Sequence, residues 1–138
     1  MQEAEKVRLH PSTQSWYDVR NGNPVIFIYF IAIHTMAAAG IMLFPLPGWP
    51  VFITTLALTG LGGLGTTLAY HRSLSHRAFK LNPIIEQILI FFTVFNGSGI
   101  PTNWVANHRY HHAHTDTLND ISSPRFGGFW WAHLRCLY

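Results

Sequence analysis

The sequence predicts an all-α integral membrane protein, in which a transmembrane helical hairpin is followed by cytoplasmic or interfacial helices carrying clustered histidines. Three observations lead there. Of the 138 residues, 49% are hydrophobic and 11% charged, whereas about a quarter of a typical soluble domain is charged. The apolar residues concentrate in two uncharged runs between Pro24 and Tyr70. Directly beyond those runs come His71 and His76, and later His108, His111 and His112.

Residues 1–23 form a polar tail, carrying Glu3, Glu5, Lys6, Arg8, Asp18 and Arg20 and ending in Asn21-Gly22-Asn23. A cleavable signal peptide would place its apolar stretch nearer the start and follow it with small residues. From Val25 to Phe44 there are 20 residues without a formal charge, enough at 1.5 Å per residue to cross a hydrocarbon core of about 30 Å. Pro45, Pro47, Gly48 and Pro50 make a short turn, and Val51 to Tyr70 is a second uncharged run of 20. The expected spans are therefore 25–44 and 51–70. Lys6, Arg8 and Arg20 precede the hairpin, Arg72, Arg77 and Lys80 follow it, and the connecting turn has neither Lys nor Arg. The positive-inside rule puts both ends, and both histidine clusters, on the cytoplasmic side.

The stretch Asn82 to Ile100 is apolar but short and is interrupted by Glu86 and Gln87. A helix over about 83–96, lying along the interface or packed over the histidines, is expected. The chain turns polar from Thr115 through Asp116, Asn119 and Asp120, and Phe129-Trp130-Trp131 reads as an interfacial aromatic anchor. The two domains expected are thus the tail, 1–23, and a membrane domain, 24–138.

If residues 108–112 are helical, steps of about 100° place His111 roughly 60° to one side of His108 and His112 roughly 40° to the other, so one face can hold a metal. His71 and His76 are five apart, about 140° round a regular helix, and would share a direction only if the helix ended there or if they served two ions. Neutral imidazole suits iron, zinc and copper. Asp116 and Asp120 are near enough in sequence to orient such ligands. The bland alternative is a solvated, partly charged interfacial surface.

The other histidines carry less. His10 lies in the tail, His34 in the first span is expected to hydrogen-bond a neighbouring helix, His114 points away from His111 and His112, and His133 follows the aromatic anchor. Gly60-Leu61-Gly62-Gly63-Leu64-Gly65 matches the G-x-G-x-x-G fingerprint of dinucleotide sites, but it sits inside an apolar span where small residues serve close helix packing. Cys136 is alone, so neither an internal disulfide nor a thiolate zinc site can be drawn. The net charge is +3 with no basic stripe interleaved with aromatics, which excludes the usual nucleic-acid surfaces.

His71-Arg72-Ser73-Leu74-Ser75-His76-Arg77 resembles the first histidine box of the membrane fatty acid desaturases that introduce a Δ9-type double bond, and His108-Arg109-Tyr110-His111-His112 the second. The likeness extends to Trp104-Val105, Asp116-Thr117, Asp120 and Gly127-Gly128-Phe129-Trp130-Trp131-Ala132-His133, and covers residues 24–133. The resemblance implies a non-haem di-iron centre, two Fe ions facing the cytoplasm, that uses O₂ to remove two hydrogens from adjacent carbons of a saturated acyl chain. It implies His71, His76, His108, His111 and His112 as iron ligands, with no catalytic group beyond them, and Trp104 near the acyl-chain tunnel. The implied partners are an acyl-lipid or acyl-CoA substrate, the membrane, and ferredoxin or cytochrome b5 as electron donor.

Three features depart from the family's pattern. A third histidine box and a further ligand histidine would come after residue 138, so the chain is read as an amino-terminal fragment, inactive alone. An Arg-Asp pair that holds the CoA headgroup in some acyl-CoA desaturases is replaced by Ala106-Asn107, which brings acyl-lipid substrates forward. Leu134-Arg135 stands where Gly-Trp is usual. The competing functions are another histidine-box oxygenase, a hydroxylase or ketolase, and a non-catalytic membrane remnant that binds metal or a partner.

Overall fold

The computed structural model describes residues 23–120 and 122–134, except the side chain of His133. The polar tail, His10, Cys136 and the side chain of His133 lie outside the described residues. Among the described residues every regular element is helical: α1 at Pro24–Leu43, α2 at Trp49–Leu64 continuing as a π-helix over Gly65–Ser75, α3 at Pro83–Phe95, α4 at Pro101–His114 and α5 at Pro124–His133.

The helix starts share a local cause. Proline in the first turn gives up only an N–H that no helical carbonyl could have accepted, and its φ is already helical. In α1 and α3 an asparagine stands just before it. Asn23 Oδ1 accepts from the amides of Val25 and Ile26 at 3.0 and 3.4 Å, and Asn82 Oδ1 from Ile84 at 2.9 Å. Ser123 does the same for α5, accepting from the Arg125 amide at 3.3 Å.

Two helices, Pro24–Leu43 and the continuous Trp49–Ser75, are long and apolar enough to cross a membrane. No residue of α1 is buried, and Met42 and Leu43 are 82% and 72% exposed. Within α1 itself, His34 Nδ1 meets the carbonyl of Phe30 at 2.7 Å, one turn back.

The second helix differs from its expectation in length and in winding. It begins at Trp49 and runs through His71 to Ser75. Over the last 11 residues the winding widens, so that the hydrogen bond spans five residues instead of four. Arg77 then takes a left-handed φ of 52°, which turns the chain and lets the Ala78 amide donate to Arg72 O at 2.9 Å.

The described residues fall into two compact units, one spanning 47–112 and the other formed by the segments on either side. In the first unit α3 lies against α2 at two glycines. A Cβ on Gly65 would run into Thr93 Oγ1 and the carbonyl of Leu89, and one on Gly62 into the side chain of Asn96. Asn96 Nδ2 donates to Leu58 O at 2.8 Å. The glycine run is thus a packing surface. Ala69, Tyr70 and Leu89 form the buried core, with Leu68, Leu74, Leu81, Ile90 and Trp104 around it. Gly97 and Gly99, at φ 83° and 76°, make the tight link to α4, and the Tyr70 hydroxyl donates to Gly99 O at 2.9 Å.

In the other unit, the turn before α5 is organised by Asp120, which is 1% exposed. Its carboxylate accepts from Ser122 N and Oγ at 3.3 and 2.9 Å and from the Asp116 amide at 3.2 Å. The aromatic triplet splits in role. Trp131 is buried against Gly127, whose missing side chain makes the room, while Phe129 and Trp130 are 65% and 59% exposed.

Candidate metal centre

The centre is assembled within the unit of residues 47–112 from two helix segments. In an α-helix, residues four apart share a face, which brings His108 and His112 of α4 together with ring centroids 4.5 Å apart. A π-wound segment turns less per residue than an α-helix, so residues five apart diverge far less than they would at α-helical winding, and His76 stands just past the end of the segment at Ser75. His71 and His76 therefore share a face without two ions being required. Their rings lie 4.6 Å apart, and the His76 amide donates to His71 O at 3.0 Å.

The two pairs face each other. The ligand nitrogens of His71, His76, His108 and His112 all lie within 4.8 Å of one another. Nε2 of His108 is 3.2 Å from Nε2 of His76 and 3.1 Å from Nε2 of His112. One ring nitrogen offers a single proton or a single in-plane lone pair, so it cannot make two good hydrogen bonds at once. Nitrogens held at about 2.0–2.1 Å from one cation in a tetrahedral array would be about 3.4 Å apart. The quartet therefore fits a single shared metal ion, to which these nitrogens would close around it.

His111 lies outside this quartet, with its ring 5.7 Å from that of His112. Both flank the His108 direction on α4, and the first histidine pair stands on the His112 side. Trp104, one turn before His108, stacks on its imidazole at 4.7 Å with 20° between the planes. It also meets Tyr70 at 5.6 Å and the edge of His71 at 6.5 Å. Asp116 and Asp120 have their carboxylates engaged in the turn before α5, where Ser123 Oγ donates to Asp116 Oδ1 at 3.2 Å.

The electrostatics of His108 and His76 favour the neutral imidazole, the form that ligates. Desolvation, reinforced by His112, His71, His76 and His111, pulls His108 down to about 4. His76 is lowered by desolvation and then by His71, His112 and Arg109.

Three supporting residues are not among the site residues expected from sequence. Ser73, buried between the first two histidines, donates to Glu86 of α3 at 3.0 Å. Tyr70 ties α2 to the turn before α4. Arg109 reaches from α4 to the carbonyls of Leu74 and Ser75. Only Arg109 had a visible cue, a cation set directly after the first histidine of its cluster.

A helical scaffold that presents four converging imidazoles defines a class, the histidine-rich metal sites built on apolar helices. Comparison narrows it. The fatty acid desaturase family model matches residues 47–138. The chain is similar to Delta-9 acyl-lipid desaturase 2 of Arabidopsis thaliana, at 37% identity over 83% of this chain and 36% of that protein. It is 36% identical to Acyl-CoA 5-desaturase AL21 of Anemone leveillei over 90% of this chain and 38% of that protein. A chloroplastic palmitoyl-monogalactosyldiacylglycerol delta-7 desaturase of Arabidopsis thaliana is 42% identical over 59% of the chain and 21% of that protein. The chain belongs to the fatty acid desaturase family, whose named members are oxidoreductases acting on fatty acyl chains. It spans under two fifths of the length of these relatives. No solved structure matches it.

Proposed function

We propose that these residues form the amino-terminal half of the metal centre of an O₂-dependent fatty acyl desaturase, acting on an acyl-lipid or acyl-CoA at a Δ9-type position. The observation that carries this is the convergence of four imidazoles from two separate sequence clusters, all within 4.8 Å. His71, His76, His108 and His112 would hold iron, and His111, on the same helix but outside the quartet, would serve a second ion. Bound there, iron supplies the oxygen chemistry that removes two hydrogens from adjacent carbons. The chain's own part is to keep His76 and His108 neutral and the imidazoles aligned, and to offer Trp104 as an apolar wall where the acyl chain passes. In a protein of the relatives' length the remaining ligands would come from beyond residue 138, in an H-x-x-H-H box after two more spanning helices.

In this reading α1 and α2 span the membrane with the start of α1 and the histidine end of α2 at the cytoplasmic face, and residues 24–138 work as one membrane domain. The side chains that α1 leaves exposed support it, because apolar patches of this extent rarely face water on a monomer. Electrons would come from ferredoxin or cytochrome b5. The test is to read the coding sequence past codon 138 and to express the complete protein in a host that lacks monounsaturated acyl chains. A new cis double bond, absent in His76→Ala, is expected. No new double bond despite bound iron and a competent donor would refute the proposal.

A further inference from the structure

A helix leaves its last carbonyls without partners in the same helix. In Gly65–Ser75 that deficit falls beside the first histidine pair. Main-chain amides meet two of these carbonyls, His76 N on His71 O at 3.0 Å and Ala78 N on Arg72 O at 2.9 Å. Leu74 and Ser75 are met from the other helix instead. Arg109 Nη2 donates to Leu74 O at 2.8 Å, and Arg109 Nε donates to Ser75 O at 3.0 Å.

We propose that Arg109 is a positioning residue whose guanidinium clamps the carbonyl end of the π-wound helix to α4 and so holds His76 in register with His108 and His112. The inference rests on the metal reading above and adds to it the residue that joins the two clusters. The clamped carbonyl of Ser75 belongs to the peptide that leads into His76, and His76 Nε2 stands 3.2 Å from His108 Nε2. The N–H of the same peptide is held by His71 O at 3.0 Å, while the Ser75 hydroxyl is buried with no hydrogen-bond partner, so Arg109 supplies the anchor on the carbonyl side. A cation is also favoured at the negative end of a helix. Only a planar fork fits both carbonyls at once, so lysine would not replace it: an ammonium is a point charge on a flexible stem.

The test uses cobalt(II) as the probe on the 138-residue chain in detergent micelles, with ligand-field absorption reporting the number of nitrogens and circular dichroism the helix content. Arg109→Lys is expected to bind cobalt about 10- to 100-fold more weakly, the range for outer-shell partners of metal ligands, with a spectrum that has lost one nitrogen and with unchanged helicity. In a His76→Ala background the same change should cost little more, because Arg109 acts through His76. Wild-type affinity and spectrum in Arg109→Lys, or losses that add in full in the double variant, would overturn the clamp alone. A wild-type chain that binds no cobalt overturns the metal reading and the clamp with it. Where Arg109→Lys yields no helical protein, Arg109→Gln repeats the cycle under the same criteria.

Discussion

The glycine run in α2 allows a sharp test of the packing that brings the histidine pairs together. Gly62 and Gly65 face α3, whereas a Cβ on Gly60 or Gly63 would meet nothing within 4 Å. Alanine at Gly65 would drive its methyl into Thr93 Oγ1 and the main-chain carbonyl of Leu89. The threonine cannot easily give way, because it is wholly buried and its hydroxyl is bonded to that same carbonyl at 2.8 Å. Relief requires α3 to move, and overpacking of this kind costs about 1–3 kcal/mol. Taking about 2 kcal/mol, the folding equilibrium of Gly65→Ala falls roughly 30-fold. At Gly60 and Gly63 the same substitution adds helix propensity without a clash, a gain of up to about 1 kcal/mol. The measurement is denaturation of the micellar chain followed by circular dichroism, with the three variants side by side. Gly65→Ala as stable as Gly63→Ala would show that α3 does not approach α2 as described, and would remove the basis for the core around Tyr70.

Three further outcomes are expected. Tyr70→Phe removes the hydroxyl that donates to Gly99 O, a loss of about 0.5–1.5 kcal/mol in the same denaturation measurement. Trp104→Ala removes the ring stacked on His108, an interaction worth about 0.5–1.5 kcal/mol; cobalt affinity should drop by up to about tenfold, and Trp104→Phe should restore most of it. The metal-free chain should lose stability as pH falls from about 6.5, the ordinary histidine value, towards about 4, the folded value for His108. Across that window the unfolded chain binds a proton that the folded His108 refuses, so protonation favours unfolding. Replacing His108 with glutamine should flatten this part of the pH–stability profile, and an unchanged profile would contradict the assigned cause.

Much of the helical plan follows from short-range chemistry. The two apolar runs are legible because their length and lack of charge need no partner to be recognised, and the pairing of His108 with His112 follows from the α-helical period alone. The clusters themselves point to metal through residue type. The helix starts were equally local, at Asn23-Pro24, Asn82-Pro83 and Ser123-Pro124, although hydropathy by itself overlooks them.

What the sequence could not decide is the winding of Gly65–Ser75. Side-chain periodicity assumes a turn of constant width, and with an α-helical turn His71 and His76 diverge; the wider winding and the helix end at Ser75, one of the two openings the sequence left, bring them onto one face. The contacts around that segment involve residues far away in the chain, Gly65 against Thr93, Ser73 on Glu86 and Arg109 on Leu74 and Ser75. The same holds for His111. Sequence puts it on the face of His108 and His112, and the side from which the first pair approaches leaves it outside the quartet. Sequence by itself determined which residues have the chemistry to bind metal and where the two long apolar helices and the short apolar one lie, because both depend on residue type and near neighbours. The tertiary structure decided which four imidazoles converge, because that depends on a backbone register and on contacts between helices that no local pattern records.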